Sequence, residues 1–124
     1  MKMNLSEIIK LNSLIKTIID NTDLKIDSLL KFKLLGIMKI LEIPVGNFEK
    51  IRNEKIYEYG NTNENGNVEI SKDDTEAMDK FMSDINKLLS TDIEVNLPKL
   101  KTTDVFDKCL PADYLVGLYS IIEE

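Results

Sequence analysis

Apolar residues recur with helical spacing over most of the chain. In residues 5–20 they return every three or four positions, as in an amphipathic helix, and Asn4 with Glu7 offers a capping pair at its start. A second helical stretch covers residues 26–59 and is apolar on most sides within residues 29–41. A helix apolar nearly all round is buried or sandwiched between neighbours, which is what we expect here.

Two residue types are expected to interrupt or end this second stretch. Pro44 lacks a backbone donor and Gly46 weakens the following turn, so a kink or break is predicted near them. Gly60 stands where a left-handed conformation commonly closes a helix. The stretch is therefore one long helix or two in sequence.

The next segments alternate between turn, strand and helix signals. Residues 61–67 form a connector rich in Asn and Gly, and Val68 and Ile70 alternate with a polar residue as in a very short strand. Asp73 with Glu76 offers a second capping pair. A clear helical stripe of apolar residues then covers residues 77–89.

The end of the chain carries the best strand signal and a last helix. Apolar and polar residues alternate in residues 93–97, and Pro98 ends the strand or marks an edge. Pro111 at the first helical position and Asp113 in the first turn predict a final helix. Together these signals predict a mainly α fold with a minor β component, about four helices and one or two short strands, in a single helical domain over residues 1–124.

The composition excludes several kinds of chemistry. The chain has no His and one Cys, so a His-based triad, a His-ligated metal site and an intrachain disulfide are excluded. The net charge of −6 disfavours direct binding to nucleic acid, which needs a positive surface. No glycine-rich loop for a phosphate or a dinucleotide is present, and we expect no cofactor.

The connector comes close to the pattern of a calcium loop. Asn61, Asn63, Asn65 and Gly66 have the spacing of its first ligand positions, but the early ligands are neutral amides. Lys72 stands at the twelfth position, where calcium loops carry a bidentate Glu. An ordinary Asn/Gly turn is the better interpretation, and no metal site is predicted.

A cysteine and several carboxylate pairs are the remaining candidates for catalysis. Cys109 is either a nucleophile, with Lys108 beside it to lower its pKa, or an ordinary small apolar residue, and no His is available to activate it. The carboxylate pairs fit helix caps and solvated faces better than a catalytic cleft. These pairs are Asp73-Asp74, Asp92/Glu94 and Glu123-Glu124. We therefore expect no catalytic residues and no enzymatic activity.

The charge is distributed unevenly along the chain. Residues 1–60 carry a net charge of +2, whereas residues 61–124 carry −8. An acidic half either keeps the protein soluble or steers a basic partner. The residues expected to meet a protein partner are Asp73, Asp74, Glu76, Asp79 and Asp84. The aliphatic first half is core for the most part, with some of it available as a homo-oligomer interface.

No targeting or membrane signal is evident. The N-terminal residues lack a long apolar region followed by a small-residue cleavage site. The most apolar stretch is interrupted by charges and is too short to span a bilayer. We therefore expect a cytoplasmic protein without membrane contact.

Four motifs follow one another in a characteristic order. A long charged helix ends at Tyr59-Gly60, a turn contains Glu64-Asn65-Gly66, a strand contains Glu94-Val95, and a terminal helix starts with Pro111-Ala112-Asp113. Over residues 24–124 this order resembles small, largely uncharacterised proteins of tailed phages and prophages of low-GC Gram-positive bacteria. The chain departs from their pattern at Leu110, where a capping Ser is usual, and at Pro44, which interrupts the long helix.

The resemblance implies a phage origin and no active site. Together with the acidic second half, it leads us to expect an accessory protein that acts in the bacterial host by binding another protein, of host or phage. A host defence or regulatory complex, inhibited or modulated through the acidic surface, is the first candidate for the target. A role in virion assembly, as a head or tail accessory, is the alternative.

Overall fold

The computed structural model describes residues 1–105 and 110–123, most of which are helical. The helices are α1 (Leu5–Asp20), α2 (Ser28–Tyr59), α3 (Thr75–Leu89), α4 (Thr102–Val105) and α5 (Ala112–Leu118), which a turn of 3₁₀ helix extends over Tyr119–Ile121. Four of these helices have seven residues or more. The mainly helical fold class with a minor β component is thereby confirmed.

The β component consists of short strands in three separate pairs. The strands are β1 (Lys2–Asn4), β2 (Asn61–Thr62), β3 (Val68–Glu69), β4 (Asp92–Glu94), β5 (Leu100–Lys101) and β6 (Ile122–Glu123). β1 pairs antiparallel with β4, β2 antiparallel with β3, and β5 parallel with β6. The expectation of one or two strands was too low, because segments of two or three residues leave no readable alternation.

The core forms where α1 packs along α2. Both helices bury residues spaced three or four apart, because that spacing places side chains on one face. The sequence pattern predicted this stripe for α1. The buried residues of these helices are Leu5, Ile8, Leu11, Ile15 and Ile18 of α1 with Leu30, Leu34, Ile37 and Leu41 of α2. The removal of each such side chain from water contributes about 1.5–3 kcal/mol.

The C-terminal segment closes over this same core. Leu118 and Ile121 are fully buried, and Val105 from α4 reaches the same hydrophobic cluster. Ile122 follows in β6, whose partner β5 contributes the buried Leu100. Among the described residues, no polar or charged residue is buried. Apolar burial rather than a polar network therefore holds the interior together.

Helix capping agrees with the sequence at α1 and shifts by one residue at α3. Asn4 Oδ1 accepts a hydrogen bond from the Glu7 backbone N at 2.8 Å, as expected. At α3 the cap is Asp74, whose Oδ1 accepts from the Ala77 backbone N at 3.1 Å. The prediction of Asp73 as the capping residue was therefore wrong by one position, because two adjacent Asp residues both fit the pattern.

The helix α2 continues without a break through Pro44. Of the predicted kink or break, the break is therefore wrong, and the kink stays a prediction. Before Pro44 the helix is anchored by its buried core face, and beyond it α2 packs against α3. We attribute the continuity to these contacts, which offset the missing hydrogen bond from Pro44 to the Ile40 carbonyl.

Gly60 ends α2 for a different reason from the one expected. Its backbone has φ −94° and ψ 173°, so the predicted left-handed conformation is wrong. A Cβ at this position would clash with the Ile56 carbonyl oxygen and lie 2.7 Å from that of Glu69. Gly60 is therefore required by two close backbone contacts, one with the last turn of α2 at Ile56 and one with β3 at Glu69.

The last helix begins one residue later than predicted. Pro111 is the N-cap of α5 rather than its first helical residue, and it makes no side-chain capping hydrogen bond. Pro111 still fits there, because it has no N–H that needs a partner.

Candidate functional site

Four of the five carboxylates expected to bind a partner lie together at the start of α3. Asp73 and Asp74 precede the helix, and Glu76 and Asp79 lie in its first two turns. All four are exposed, and we call them the acidic surface. Glu76 Oε1 lies 3.2 Å from Lys80 Nζ in an exposed ion pair, which contributes little to stability.

The amphipathic pattern of α3 explains why these side chains face outward. Phe81 and Ile85 are buried against the rest of the protein. Glu76 and Asp79 are three residues apart and occupy the opposite side of the helix. The positive end of the helix dipole also favours carboxylates at this end, so these residues stabilise α3 as well as carrying charge.

Asp84, the fifth predicted residue, lies at the junction of α3 and α2. Its Oδ2 accepts a hydrogen bond from the Tyr59 hydroxyl at 2.7 Å and lies 3.6 Å from Lys55 Nζ. The hydrogen bond from Tyr59, together with the charge of Lys55, lowers the pKa of Asp84 below its ordinary value. The same bond raises the pKa of Tyr59. Asp84 therefore joins two helices of its own chain.

Lys55 completes this junction. Its Nζ donates to Glu58 Oε2 at 2.9 Å and lies 5.8 Å from the centre of the Tyr59 ring. The hydrogen bond with Glu58 is the main cause that raises the pKa of Lys55. Sequence reasoning missed this group because Asp84 on α3 is 25 residues from Tyr59 and 29 from Lys55, and nothing in the local pattern pairs the two helices.

A second polar contact ties α4 to α2. Asp104 Oδ2 accepts hydrogen bonds from Lys33 Nζ and from the Lys101 backbone N, both at 2.8 Å. These bonds lower the pKa of Asp104, the contact with Lys33 contributing most. This arrangement holds α4, which follows β5, against α2.

The Asn/Gly connector is a turn between β2 and β3. Asn63 Oδ1 accepts from the backbone N of Asn65 at 2.9 Å and of Asn67 at 3.0 Å, and Gly66 adopts φ +82°. The oxygen that would have been a calcium ligand is thus engaged by the backbone of its own turn. Within residues 1–105 and 110–123, no three His, Cys, Asp or Glu residues form a group suited to a metal ion.

The outer side of α2 carries an exposed apolar surface. Phe32 is 75% exposed, Ile43 71% and Leu29 59%, and Ile40 is also exposed. Together with Gly36 these residues recur at intervals of three and four, which places them on one face. We call Leu29, Phe32, Gly36, Ile40 and Ile43 the α2 apolar face.

The sequence predicted that residues 29–41 are buried or sandwiched between neighbours. The structure buries one side of α2 against α1 and leaves the α2 apolar face exposed, so the prediction is wrong for that side. Sequence reasoning expected part of the aliphatic first half to form an interface but did not say which residues. The adjacent hydrophobic pairs Leu29-Leu30 and Leu34-Leu35 were the available signal.

A groove runs beside the second half of this face. It has a volume of about 410 Å³ and lies between α2, the end of α3 and the β4 segment. Ile40, Ile43 and Phe48 form one wall, and Leu88 and Ile93 contribute to the other. The lining is largely apolar, so the groove extends the hydrophobic surface around α2.

Some sequence candidates lie elsewhere or outside the described residues. Cys109 and Lys108 fall outside them, so the thiol hypothesis stays a prediction. Asp92 and Glu94 are at the two ends of β4, where Glu94 Oε1 is 2.8 Å from the N-terminal amine.

In the part of the chain that the structure describes, no helix combines the length and hydrophobicity needed to cross a membrane.

Comparison with known proteins gives no relative for this chain. No family model matches it, and neither a curated protein nor a solved structure does.

Proposed function

We propose that this protein acts without catalysis, by binding another protein through the acidic surface. The observation that carries the proposal is the exposure of four carboxylates within seven residues, Asp73, Asp74, Glu76 and Asp79, at one end of α3. Lys80, which pairs with Glu76, and Lys72, which precedes Asp73, compensate only part of this charge. The surface therefore offers a patch of net negative charge at the start of α3.

The physical basis is electrostatic complementarity. Like charges held close together raise the local potential, and a basic groove on a partner relieves that repulsion when it binds. Such pairing gives fast association and selectivity for partners of opposite charge. It also predicts that binding weakens as salt is added, since exposed charges are screened over about 10 Å at 0.1 M salt.

The biological setting of the proposal rests on the resemblance to phage proteins. We place the protein in the cytoplasm of an infected low-GC Gram-positive bacterium, where it inhibits or modulates a host defence or regulatory complex. A target that normally holds nucleic acid fits best, because its basic groove accepts a row of carboxylates in place of phosphates.

A second candidate function is virion assembly, as a head or tail accessory. The α2 apolar face favours it, because an exposed hydrophobic surface of this size suits contact with other copies or other subunits. Mass spectrometry of purified virions separates the two functions. A protein that acts only on the host is absent from particles, whereas an assembly component is present in stoichiometric copies.

The test of the proposed function is a comparative pull-down from host lysate. The bait is the full chain, and the test variant carries Asp73→Asn, Asp74→Asn, Glu76→Gln and Asp79→Asn. Asn at the capping position preserves the cap of α3, so the fold is kept while the charge is removed. Asp84 is left unchanged because it bonds to Tyr59.

The matched control removes the same charge elsewhere on the surface. It carries Asp23→Asn, Glu42→Gln, Glu49→Gln and Glu54→Gln, all at exposed positions. We expect one host protein to be captured by the wild type and the control but lost with the test variant. Equal recovery with all three baits, or recovery of no host protein at low salt, would contradict the proposal.

A further inference from the structure

We propose that the α2 apolar face binds a second copy of this chain, as an antiparallel pair of α2 helices that cross at Gly36. The proposal is independent of the acidic surface and of the proposed function. It rests on the order of residues along the face, on the space around Gly36 and on the apolar area that the face exposes.

The face is symmetric about Gly36. Phe32 and Ile40 lie four residues to either side of it, and Leu29 and Ile43 lie seven residues to either side. In an antiparallel pair with a twofold axis at Gly36, Phe32 therefore packs against Ile40 of the other copy, and Leu29 against its Ile43. Twofold interfaces are self-complementary in this way.

The described residues give Gly36 no close contact that requires a glycine, although Pro98 and Lys99 line a cavity beside it. Gly36 lies inside α2, where glycine is disfavoured, and a Cβ added to it would meet nothing within 4 Å. A glycine at a helix crossing instead lets two backbones approach closely, and at a crossing angle of about 20° the residues spaced three and four apart on both helices stay in contact. The spacing of the α2 apolar face, which is three, four, four and three residues, fits such a crossing.

The exposed area is close to what a specific pair needs. The exposed fractions of Phe32, Ile43, Leu29 and Ile40 are 75%, 71%, 59% and 37%. With about 200 Å² for a fully exposed large side chain, they amount to roughly 480 Å² of apolar area in each copy. Two copies expose about 970 Å² before any polar rim is counted, which is close to the area of about 1,000 Å² that a biological interface is expected to exceed.

The charges beside the face do not oppose the pairing. Lys33 follows Phe32 and Lys39 precedes Ile40, so the helical rotation carries them to opposite flanks of the face. Each lysine then lies about 9 Å along the axis from its counterpart in the other copy. Lys33 is also neutralised by Asp104 of its own chain at 2.8 Å.

Cysteine cross-linking tests the crossing point. In a Cys109→Ser background, Gly36→Cys places two sulfurs beside the twofold axis, within reach of a disulfide. Gly46→Cys is the matched control, since Gly46 is equally open but its two copies would be about 30 Å apart. We expect oxidation to link the Gly36→Cys variant at least tenfold faster than the control. Equal rates, or faster linkage of the control, would overturn the proposal.

Sedimentation equilibrium tests the assembly without new cysteines. We expect the wild-type chain to reach twice its mass of 14.2 kDa at high concentration. Gly36→Leu and Phe32→Asp should raise the dissociation constant at least tenfold, whereas Gly46→Leu should leave it unchanged. Circular dichroism is used to check that each variant is folded. A wild type that stays monomeric at hundreds of micromolar, or a dimer insensitive to Gly36→Leu, assigns the face to another partner and overturns the proposal.

Discussion

At the scale of single residues, Gly46 within α2 and Gly60 at the end of α2 have opposite requirements. A Cβ added to Gly60 would lie within 3 Å of two carbonyl oxygens, whereas a Cβ added to Gly46 would meet nothing within 4 Å. We expect Gly60→Ala to lower the free energy of unfolding by about 2 kcal/mol, because the added Cβ displaces β3 from α2. Gly46→Ala should instead raise it by about 0.5–1 kcal/mol, since alanine favours the helix.

Urea denaturation of the two variants checks this pair. The opposite signs matter more than the magnitudes, because both changes add the same methyl group. A neutral or stabilising Gly60→Ala would show that β3 does not approach the end of α2 as described.

Asp104 gives a prediction for the pH dependence of stability. Its pKa in the folded chain is below that of an unfolded chain, so its contribution is complete at neutral pH and is lost as the pH falls from about 4. We expect Asp104→Asn to cost about 1 kcal/mol at pH 7 and less at pH 3, which is below the ordinary pKa of an aspartate. Urea denaturation at both pH values measures this, with the exposed Asp79→Asn as control. A difference that does not shrink in acid would contradict the Lys33–Asp104 contact.

Residue roles were predictable where they depend on local chemistry. Asn4 fits the capping pattern of α1 and caps that helix, because a capping bond spans only three residues. Gly60 was identified as the end of α2 but for the wrong reason. Its constraint is the space beside two carbonyl oxygens, that of Ile56 in α2 and that of Glu69, which β3 brings close.

At the scale of secondary-structure elements, α2 depends on tertiary contacts to continue through Pro44. A proline inside a helix costs about 3 kcal/mol through the lost hydrogen bond and the clash of its ring. We therefore expect Pro44→Ala to raise the free energy of unfolding by about 2 kcal/mol, after allowance for the more flexible unfolded chain.

The control for this change is Pro111→Ala, since Pro111 precedes α5 and breaks no hydrogen bond of its interior. We expect no gain in stability from it by urea denaturation. If Pro44→Ala also left the free energy of unfolding unchanged, that result would indicate that α2 is interrupted at Pro44.

The contact between α2 and α3 can be followed through Tyr59. Its hydrogen bond to Asp84 raises the pKa of the phenol, so one tyrosine should ionise at higher pH than an ordinary one. We expect Asp84→Asn to return this ionisation towards the usual range near 10. Titration by ultraviolet absorbance measures it, and Tyr59→Phe should remove the late ionisation while Tyr57→Phe, at an exposed position, should not.

The helices were predictable from sequence and most strands were not. Periodicity over 15 or more residues gives many independent signals for α1, α2 and α3. The β1 strand has three residues and exists because β4 lies beside it, with Met3 opposite Ile93. A pairing across some 90 residues of sequence leaves no trace in the local pattern.

At the scale of the whole molecule, packing decides which apolar residues become surface. Leu30 and Phe32 belong to the same apolar stretch, yet Leu30 is buried and Phe32 is 75% exposed. Which of these residues is buried depends on where α1 and the C-terminal segment pack against α2. The sequence alone does not give those positions. The same packing turns Glu76 and Asp79 outward, as the amphipathic pattern of α3 predicted.

The molecule thus presents two unlike surfaces, one acidic on α3 and one apolar on α2. Their separation allows one to bind a partner while the other joins two copies. Salt separates their contributions experimentally. Added salt weakens contact through the acidic surface by screening, whereas it does not weaken apolar contact.

The central claim is that the acidic surface binds a protein partner. Calorimetric titration of the captured partner tests it most directly, with the wild type and with the variant that neutralises Asp73, Asp74, Glu76 and Asp79. We expect the variant to bind at least tenfold more weakly and the wild-type affinity to fall steadily with salt. If the two chains bind with equal affinity and added salt does not change it, the proposal that the acidic surface binds the partner is contradicted.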